Sequence, residues 1–379
     1  MPDNTPLLIV GDRQWSGWLA FRVTRGIERM PSDFEVSITE QYPGLAKVDF
    51  KPGMSVVLKA GTDTLLTGFI DRWAGSISAR GHTITISGRG KCQDLVDCSA
   101  QYTAAQVNNG TALSIAKLVA SPFSINVTSL DGPGEIIPQM NTALMETPWG
   151  IIERITRYSA FLAYEDTSGD LVMSRAGIDE MASGFAQGVN VQDASALFSA
   201  DQRFSVVVSV ILAVDNVWKI KGDGPVGIRG SNIAAQAVDD GVERFRPHVI
   251  VSEQGWMSLD VAKQRAAWEA ARRYGRSQVV TLTCDSWRDS EGRLWEPNRL
   301  ALLDLPSLKI YKAMWLISEV TFSVDPGRGT VAIVTLMPRE AFLPEPILLQ
   351  QYDGQVAADM GGGVKTPPYE TTGTGRRDN

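Results

Sequence analysis

The stretch "ITISGRGKCQDLVDCSA", residues 84–100, runs from an alternating segment into Gly88-Arg89-Gly90-Lys91 and then a pair of cysteines. Three structures could use it: a phosphate loop, a metal site, or the end of a β-strand handing over to another unit. A phosphate loop needs a glycine, four residues, then Gly-Lys-Ser/Thr, so that successive N–H groups cradle the phosphates. Here Cys92 follows Lys91 and Thr85 holds the first glycine position, so the motif fails twice. A metal would have to draw on Cys92, Cys98, Cys284, His82 and His248, yet no CxxC or HExxH spacing occurs. If 92–98 is helical, Cys92 and Cys98 lie about 240° apart around the axis and cannot chelate as a pair. Both then read as small buried side chains. The strand-end reading would make Thr83–Ser87 the closing strand of one unit, Gly88 and Gly90 its turn, and Lys91 onward the lead into another; the alternation over 83–87 fits it.

Upstream, residues 17–89 read as short strands. Trp18, Ala20, Arg22 and Thr24 alternate with Leu19, Phe21 and Val23; runs at 34–39, 55–59 and 65–70 follow, with Pro43-Gly44, Pro52-Gly53 and Gly61-Thr62-Asp63 as turns. Such spacing predicts a small barrel or sandwich. Downstream the period changes. Residues 111–120 are helical behind Thr111 as N-cap, and Thr147-Pro148 opens a second helix with Ile151, Ile152, Ile155 and Tyr158 at helical spacing. A hairpin follows over 161–174, completing an α/β insertion. The segment 203–221 is strand-like and 222–255 irregular. Residues 258–274 form the clearest helix, capped by Ser258 and stopped by Gly275, with Ala262, Ala266 and Ala270 on one face. Strands resume from 279 to 337. The tail from Gln350, rich in Gly, Pro and Thr, is expected to be mobile.

An internal echo links the two ends. "PGMSVVL…LLTGFIDRWAGS…TITISG" (52–88) has a partner in "PNRLALL…WLISEVTFSVD…TVAIVTL" (297–336). In each, a Pro-led turn precedes an apolar strand, then a longer strand with a bend, then an alternating strand. This pattern predicts two related β-units in one chain.

Composition narrows the function. The 379 residues are 44% hydrophobic and 21% charged with a formal charge of −7, ordinary for a globular protein with sizeable cores and unlike a general nucleic-acid binder. The N-terminus has no basic segment before its apolar run Leu7–Val10, and the run Val206–Val214 is broken by Ser209, so neither a secretory signal nor stable membrane insertion is expected. The three cysteines read as reduced thiols. Gly222-Asp223-Gly224-Pro225-Val226-Gly227 fits GxGxxG, but Gly230-Ser231-Asn232 follows where a dinucleotide fold needs a helix. There is no GxSxG, and two histidines leave little room for a triad. The carboxylate pairs Asp94/Asp97, Glu165/Asp166 and Asp239/Asp240 keep a hydrolase open, although surface charge is the commoner use. The tryptophans Trp73, Trp268, Trp287, Trp295 and Trp315 point to packing within or between subunits.

In order, "RGIERMPSDFEVSITE", "KPGMSVVL", "LLTGFIDRW", "ITISGRGKCQDLVDCSA", "ETPWGIIERITRYSAFLAYED", "QRAAWEAARRYGRS" and "WRDSEGRLWEPNRLALLDLPSLKI" resemble the central baseplate hub proteins of contractile-tailed phages, over about Leu7 to Pro346. The fold is also similar to the base of type VI secretion spikes. The resemblance favours the strand-end reading of Thr83–Ser87. The resemblance implies an α+β chain of two similar β-barrel domains with an α/β insertion: a first barrel over 1–98, the insertion over 99–200, a second barrel over 201–340 containing helix 258–274 and irregular segment 222–255, and a C-terminal tail over 341–379. It implies a homotrimer whose six barrels match a sixfold tail tube above and a threefold spike below. The implied partners are further copies of the chain, the tail spike protein, and the tail tube or neighbouring baseplate proteins. DNA would pass through the axial channel without specific binding. The virion tail baseplate, assembled in the host cytoplasm, is the implied location, with no catalytic residue, no cofactor and no metal. A tail-associated cell-wall hydrolase and a carbohydrate-binding protein are the rival expectations.

Overall fold

The computed structural model describes residues 4–39, 50–78, 81–101, 106–211, 233–252 and 259–344. The glycine pattern at 222–227, the turn at Pro43-Gly44, the Ser258 cap and the tail after 344 lie outside them.

The N-terminal strands are β1 (Pro6–Val10), β2 (Arg13–Trp15), β3 (Ala20–Gly26), β4 (Asp33–Ile38), β5 (Ser55–Ala60), β6 (Asp63–Ser78) and β7 (Gly81–Gly90). The insertion holds α1 (Gln93–Asp97), β8 (Gln106–Thr111), α2 (Ala112–Ala120), β9 (Val127–Ser129), β10 (Ile136–Asn141), α3 (Pro148–Tyr158), β11 (Leu162–Glu165) and β12 (Leu171–Ser174). Then come β13 (Phe185–Ala186), β14 (Val191–Phe198), β15 (Val206–Ile211), β16 (Ile233–Val238), β17 (Pro247–Ser252), α4 (Leu259–Arg276), β18 (Gln278–Cys284), β19 (Leu300–Leu305), β20 (Ile310–Asp325) and β21 (Gly329–Met337).

Two antiparallel meanders share one strand order. The first is β3-β4-β7-β6-β5 and the second β14-β18-β21-β20-β19. Their irregularities coincide as well. The long middle strands β6 and β20 each have 16 residues, and each carries an extra residue at its ninth position, Asp71 and Ser318. The hairpins before them slip register at matching points, after Leu58 and after Leu303. With these bulges aligned, Leu58 falls on Leu303, Val56 on Ala301 and Ile86 on Val334, all at most 1% exposed. The echo between 52–88 and 297–336 is therefore a duplicated β-meander, bulges included.

The expected pair of separate barrels takes a different form. The first half of β20 pairs with β19, and its second half pairs with β3 of the first meander, from Glu319↔Gly26 to Val324↔Phe21. Both meanders thus belong to one 13-stranded sheet, and no closed circuit of strands occurs among the described residues. One core serves both: Phe21, Phe34, Val36, Leu58, Trp287, Trp295, Phe322 and Val334 belong to a single buried cluster. Trp287 stacks on Phe21 with ring centroids 5.9 Å apart and meets Phe322 edge-on at 5.5 Å, so it sits at the seam.

The insertion has its own core of Ile115, Val119, Ile151, Ile152, Ile155 and Met173. Its helices start as expected: Thr111 Oγ1 accepts the Ser114 N–H, and Thr147 Oγ1 accepts the Gly150 N–H. The three strands β16-β15-β17 form a separate sheet against α4, where Ala262 and Ala266 are fully buried. Segment 222–255, expected to be irregular, thus contains two strands. The expected boundary at 200/201 falls after β13 and β14, which pair with β19 and β18.

Three glycine and terminal expectations are corrected. Gly88 and Gly90 are strand residues, since β7 continues to Gly90. They are glycines because a Cβ would strike the Phe69 carbonyl and the Phe34 ring at Gly88, and the Glu165 carboxylate at Gly90. Gly275 lies inside α4, which runs on to Arg276; there the backbone of Ala341 passes too close for a side chain. Residues 341–344 are docked, with Ala341 and Phe342 fully buried and the Leu343 carbonyl accepting from Trp268 Nε1 at 2.7 Å.

Candidate functional site: the joint and edges of the doubled sheet

The joint between β20 and β3 brings residues nearly 300 positions apart into register. Its inner face is sealed: Phe21, Val23, Val320 and Phe322 are at most 1% exposed, and Arg25, opposite Val320, is buried beside them at 8%. Its outer face is polar and paired. The hydroxyls of Thr24 and Thr321 lie 3.0 Å apart, and Arg29 donates to Glu319 at 2.8 Å while also pairing with Asp33. Apolar burial supplies the stabilisation, and the cross-strand polar pairs fix the register.

Two buried polar centres tie the units together. Arg288, 7% exposed, reaches from the loop after β18 into the first meander, donating to Asn4 at 2.7 Å, Asp63 at 2.6 Å and the Ala60 carbonyl at 3.2 Å. Glu165, 3% exposed, accepts the N–H groups of Ser32 at 2.9 Å and Cys92 at 2.8 Å, fastening β11 to the first meander. Burial pushes the Glu165 carboxyl above the usual carboxylate range, against the pull of those two donors and of Arg25. Burial and the neighbouring Glu165 push the Cys92 thiol well up.

Of the six paired carboxylates that the sequence offers for catalysis, Asp97, Glu165, Asp166 and Asp239 are held by structural contacts. Asp97 is held by Arg89 at 2.7 Å, which also grips Asp71 at 2.7 Å. Burial, then the charge of Asp97, raises the Asp94 carboxyl. Asp166 accepts the Ser168 and Asp170 N–H groups of its own turn. Asp239 is bidentate on Arg203 at 2.7 and 2.9 Å, which lowers its pKa. The cleft lined by Ile27, Glu28, Trp149, Glu153, Trp268 and Arg272 contains none of the three carboxylate pairs. Cys92 and Cys98 flank α1 from either end, and Cys98 is only half-buried, contrary to expectation, because the helix has five residues and ends at the surface. No group of three metal-ligating side chains occurs among the described residues, and none of their helices is long and apolar enough to cross a membrane.

What the sequence did not single out are the free edges of the doubled sheet. Among the described residues, β14 ends the hydrogen-bonded path, and beyond its bulge β6 is paired with β7 alone. These edges carry Trp73 (43% exposed), Ile77 (86%), Leu197 (63%) and Phe198 (54%). The signal was present in the echo: aligned on the bulges, Trp73 and Ile77 stand where Val320 and Val324 line the seam.

Comparison with known proteins agrees along the chain. Residues 7–90 match the N-terminal domain model of the Mu phage baseplate assembly protein GpP-like family. Residues 92–175 match the second domain of baseplate hub protein gp44-like, and 258–345 the fourth domain of Mu phage baseplate assembly protein GpP. The chain is 29% identical to baseplate hub protein gp44 of Escherichia phage Mu, over 97% of this chain and 99% of that one. It is 30% identical to the crystal structure of the 43 kDa tail protein of prophage MuSo2 from Shewanella oneidensis, covering 89% of this chain and 99% of that one with a TM-score of 0.78. The fold alone extends to a type VI secretion component of E. coli, itself similar to phage T4 tail proteins: 12% identity, 91% of this chain and 80% of that one, TM-score 0.53. By sequence and by fold, the chain belongs to the baseplate hub family of Mu-like phage tail proteins.

Proposed function

We propose that the chain is the structural hub of a phage tail baseplate, a homotrimer that adapts a sixfold tail tube to a threefold spike. The observation that carries this reading is the duplication: two meanders with the same strand order and the same bulge positions within one polypeptide. Three such chains offer six near-equivalent surfaces on one side while remaining threefold on the other. Each meander with its flanking strands serves as one barrel-like unit. The division into a first unit to residue 98, an insertion to 200, a second unit to 340 and a tail follows this plan, with β13 and β14 lent to the second unit. The partners are the spike protein and the tube or adjoining baseplate proteins, and DNA passes along the axis without specific recognition. The hub is assembled in the host cytoplasm and resides in the virion tail. It works without catalysis, cofactor or metal, which the structural use of Asp97, Glu165, Asp166 and Asp239 supports. Imaging of the assembled particle tests the role: threefold averaging should resolve six similar units in one ring, and a ring of three units only would contradict it.

A further inference from the structure

The seam between β20 and β3 is a template for a contact that the single chain cannot make. Alignment of the bulges places residues 72–77 of β6 on 319–324 of β20. Following the ladders outward through β7 and β21, then through β4 and β18, sets Ala194 of β14 on Phe21 of β3, Ser195 on Arg22 and Phe198 on Arg25. Within the chain, β20 is joined to β3. The equivalent pair, the outer arm of β6 and β14, is not joined: β14 ends the path, β5 pairs with β6 only up to Phe69, and each strand lacks a neighbour on the corresponding side among the described residues. Resting on the trimer proposed above, we infer that β14 of one copy pairs antiparallel with the outer arm of β6 of the next, with Trp73 opposite Phe198, Ser76 opposite Ser195 and Ile77 opposite Ala194.

Three observations support a second copy as the occupant. The inner-face positions covered at the seam are the ones left open at the edges: buried Val320 and partly buried Val324 correspond to Trp73 and Ile77, and Phe198 lies on the same inner face as Ala194 and Ala196. Paired in this register, Trp73 and Phe198 form a cross-strand aromatic pair, among the favourable kinds in antiparallel sheets. The edges also lack the usual protection against strand addition. Residues 73–78 (WAGSIS) and 194–198 (ASALF) contain no Lys, Arg, Asp, Glu or Pro. Finally, the two edges differ, so the contact is head-to-tail and leaves a free edge of each kind on any open assembly. In a trimer, three seams within chains and three between chains join six meanders into one ring.

Engineered cysteines in the full-length chain test the register. Cys98→Ser removes the half-buried thiol, leaving Cys92 and Cys284 buried. In that background, Ser76→Cys is combined with Ser195→Cys, and separately Ile77→Cys with Ala194→Cys. Adjacent antiparallel pairs alternate in spacing, so one of the two has the closer, non-hydrogen-bonded geometry. Mild oxidation should give a covalent species of three chain masses on a denaturing non-reducing gel. Each single cysteine, and the out-of-register pair Ser76→Cys with Ala194→Cys, should give none. A native mass of three chains with no cross-link at either pair would overturn the strand pairing while leaving the trimer standing. A native mass of one chain at every concentration, again without cross-links, would overturn the trimer and the pairing with it.

Discussion

The seam and the free edges of the doubled sheet are the same structure in two circumstances. At the seam, Phe21, Val23, Val320 and Phe322 are sealed, with Trp287 packed against Phe21 and Phe322. At the edges, the corresponding strands have the same bulge and the same ladder, yet Trp73, Ile77 and Phe198 face solvent. The backbone alone does not account for the difference, because it is shared; the presence of a neighbour does. An exposed apolar residue on a sheet edge is informative here because its duplicate in the same chain shows what that position looks like when covered.

The contrast can be broken first at the seam. Phe322→Ala should cost about 3–5 kcal/mol, because a fully buried ring leaves a cavity against Trp287; denaturant titration of the full chain measures it. The tie between insertion and first meander comes next. Glu165→Ala removes the acceptor of two buried N–H groups and should cost about 2–3 kcal/mol, read in the same titration. At the edge the expectation reverses. Measured at a dilution where the protein is a single chain, Ile77→Asp should leave the unfolding free energy within about 0.5 kcal/mol of the parent, since the side chain is solvated there. Self-association should nevertheless weaken by at least about tenfold, as a buried carboxylate has no partner there. Equal effects of Phe322→Ala and Ile77→Asp on stability would erase the distinction between seam and edge.

The smallest expected effect lies away from both. His248 stacks on Phe204 with ring centroids 4.4 Å apart and sits 3.3 Å from an Arg273 nitrogen and 3.9 Å from Glu269. Burial, then Arg273, lowers its pKa below the ordinary imidazole value, with Glu269 opposing. The unfolded chain therefore binds the proton more readily. The contribution of this site is complete above the unfolded imidazole pKa and declines as pH falls through it. Thermal unfolding between neutral and mildly acidic pH should show His248→Gln with a shallower acid loss than the parent.

Local features of the fold were legible where chemistry acts over a few residues. Alternation located β3 to β7, the Thr111 and Thr147 caps located α2 and α3, and the spaced alanines located α4. The echo also survived in detail, because bulges and hairpin slips are written into local spacing. The joining of the meanders was not legible, since the pairing of Val320 with Arg25 leaves no short-range signal. Gly88, Gly90 and Gly275 were misplaced for a related reason. Glycine in a turn and glycine beneath a neighbouring backbone look alike until the neighbour is known. The strands β16 and β17 were missed because IAAQAV and PHVIVS carry weak period-2 patterns. For the candidate site, Trp73 was noticed only as a packing residue, and its tie to Phe198 needed the ladder register of both meanders.

The central claim is that a duplicated meander lets three chains stand in for six subunits. The mass of the purified full-length protein in solution, measured by light scattering across a concentration series, tests it most directly. The account predicts a species of three times 41.2 kDa. A mass of 41.2 kDa at every concentration, or a closed dimer, would contradict it.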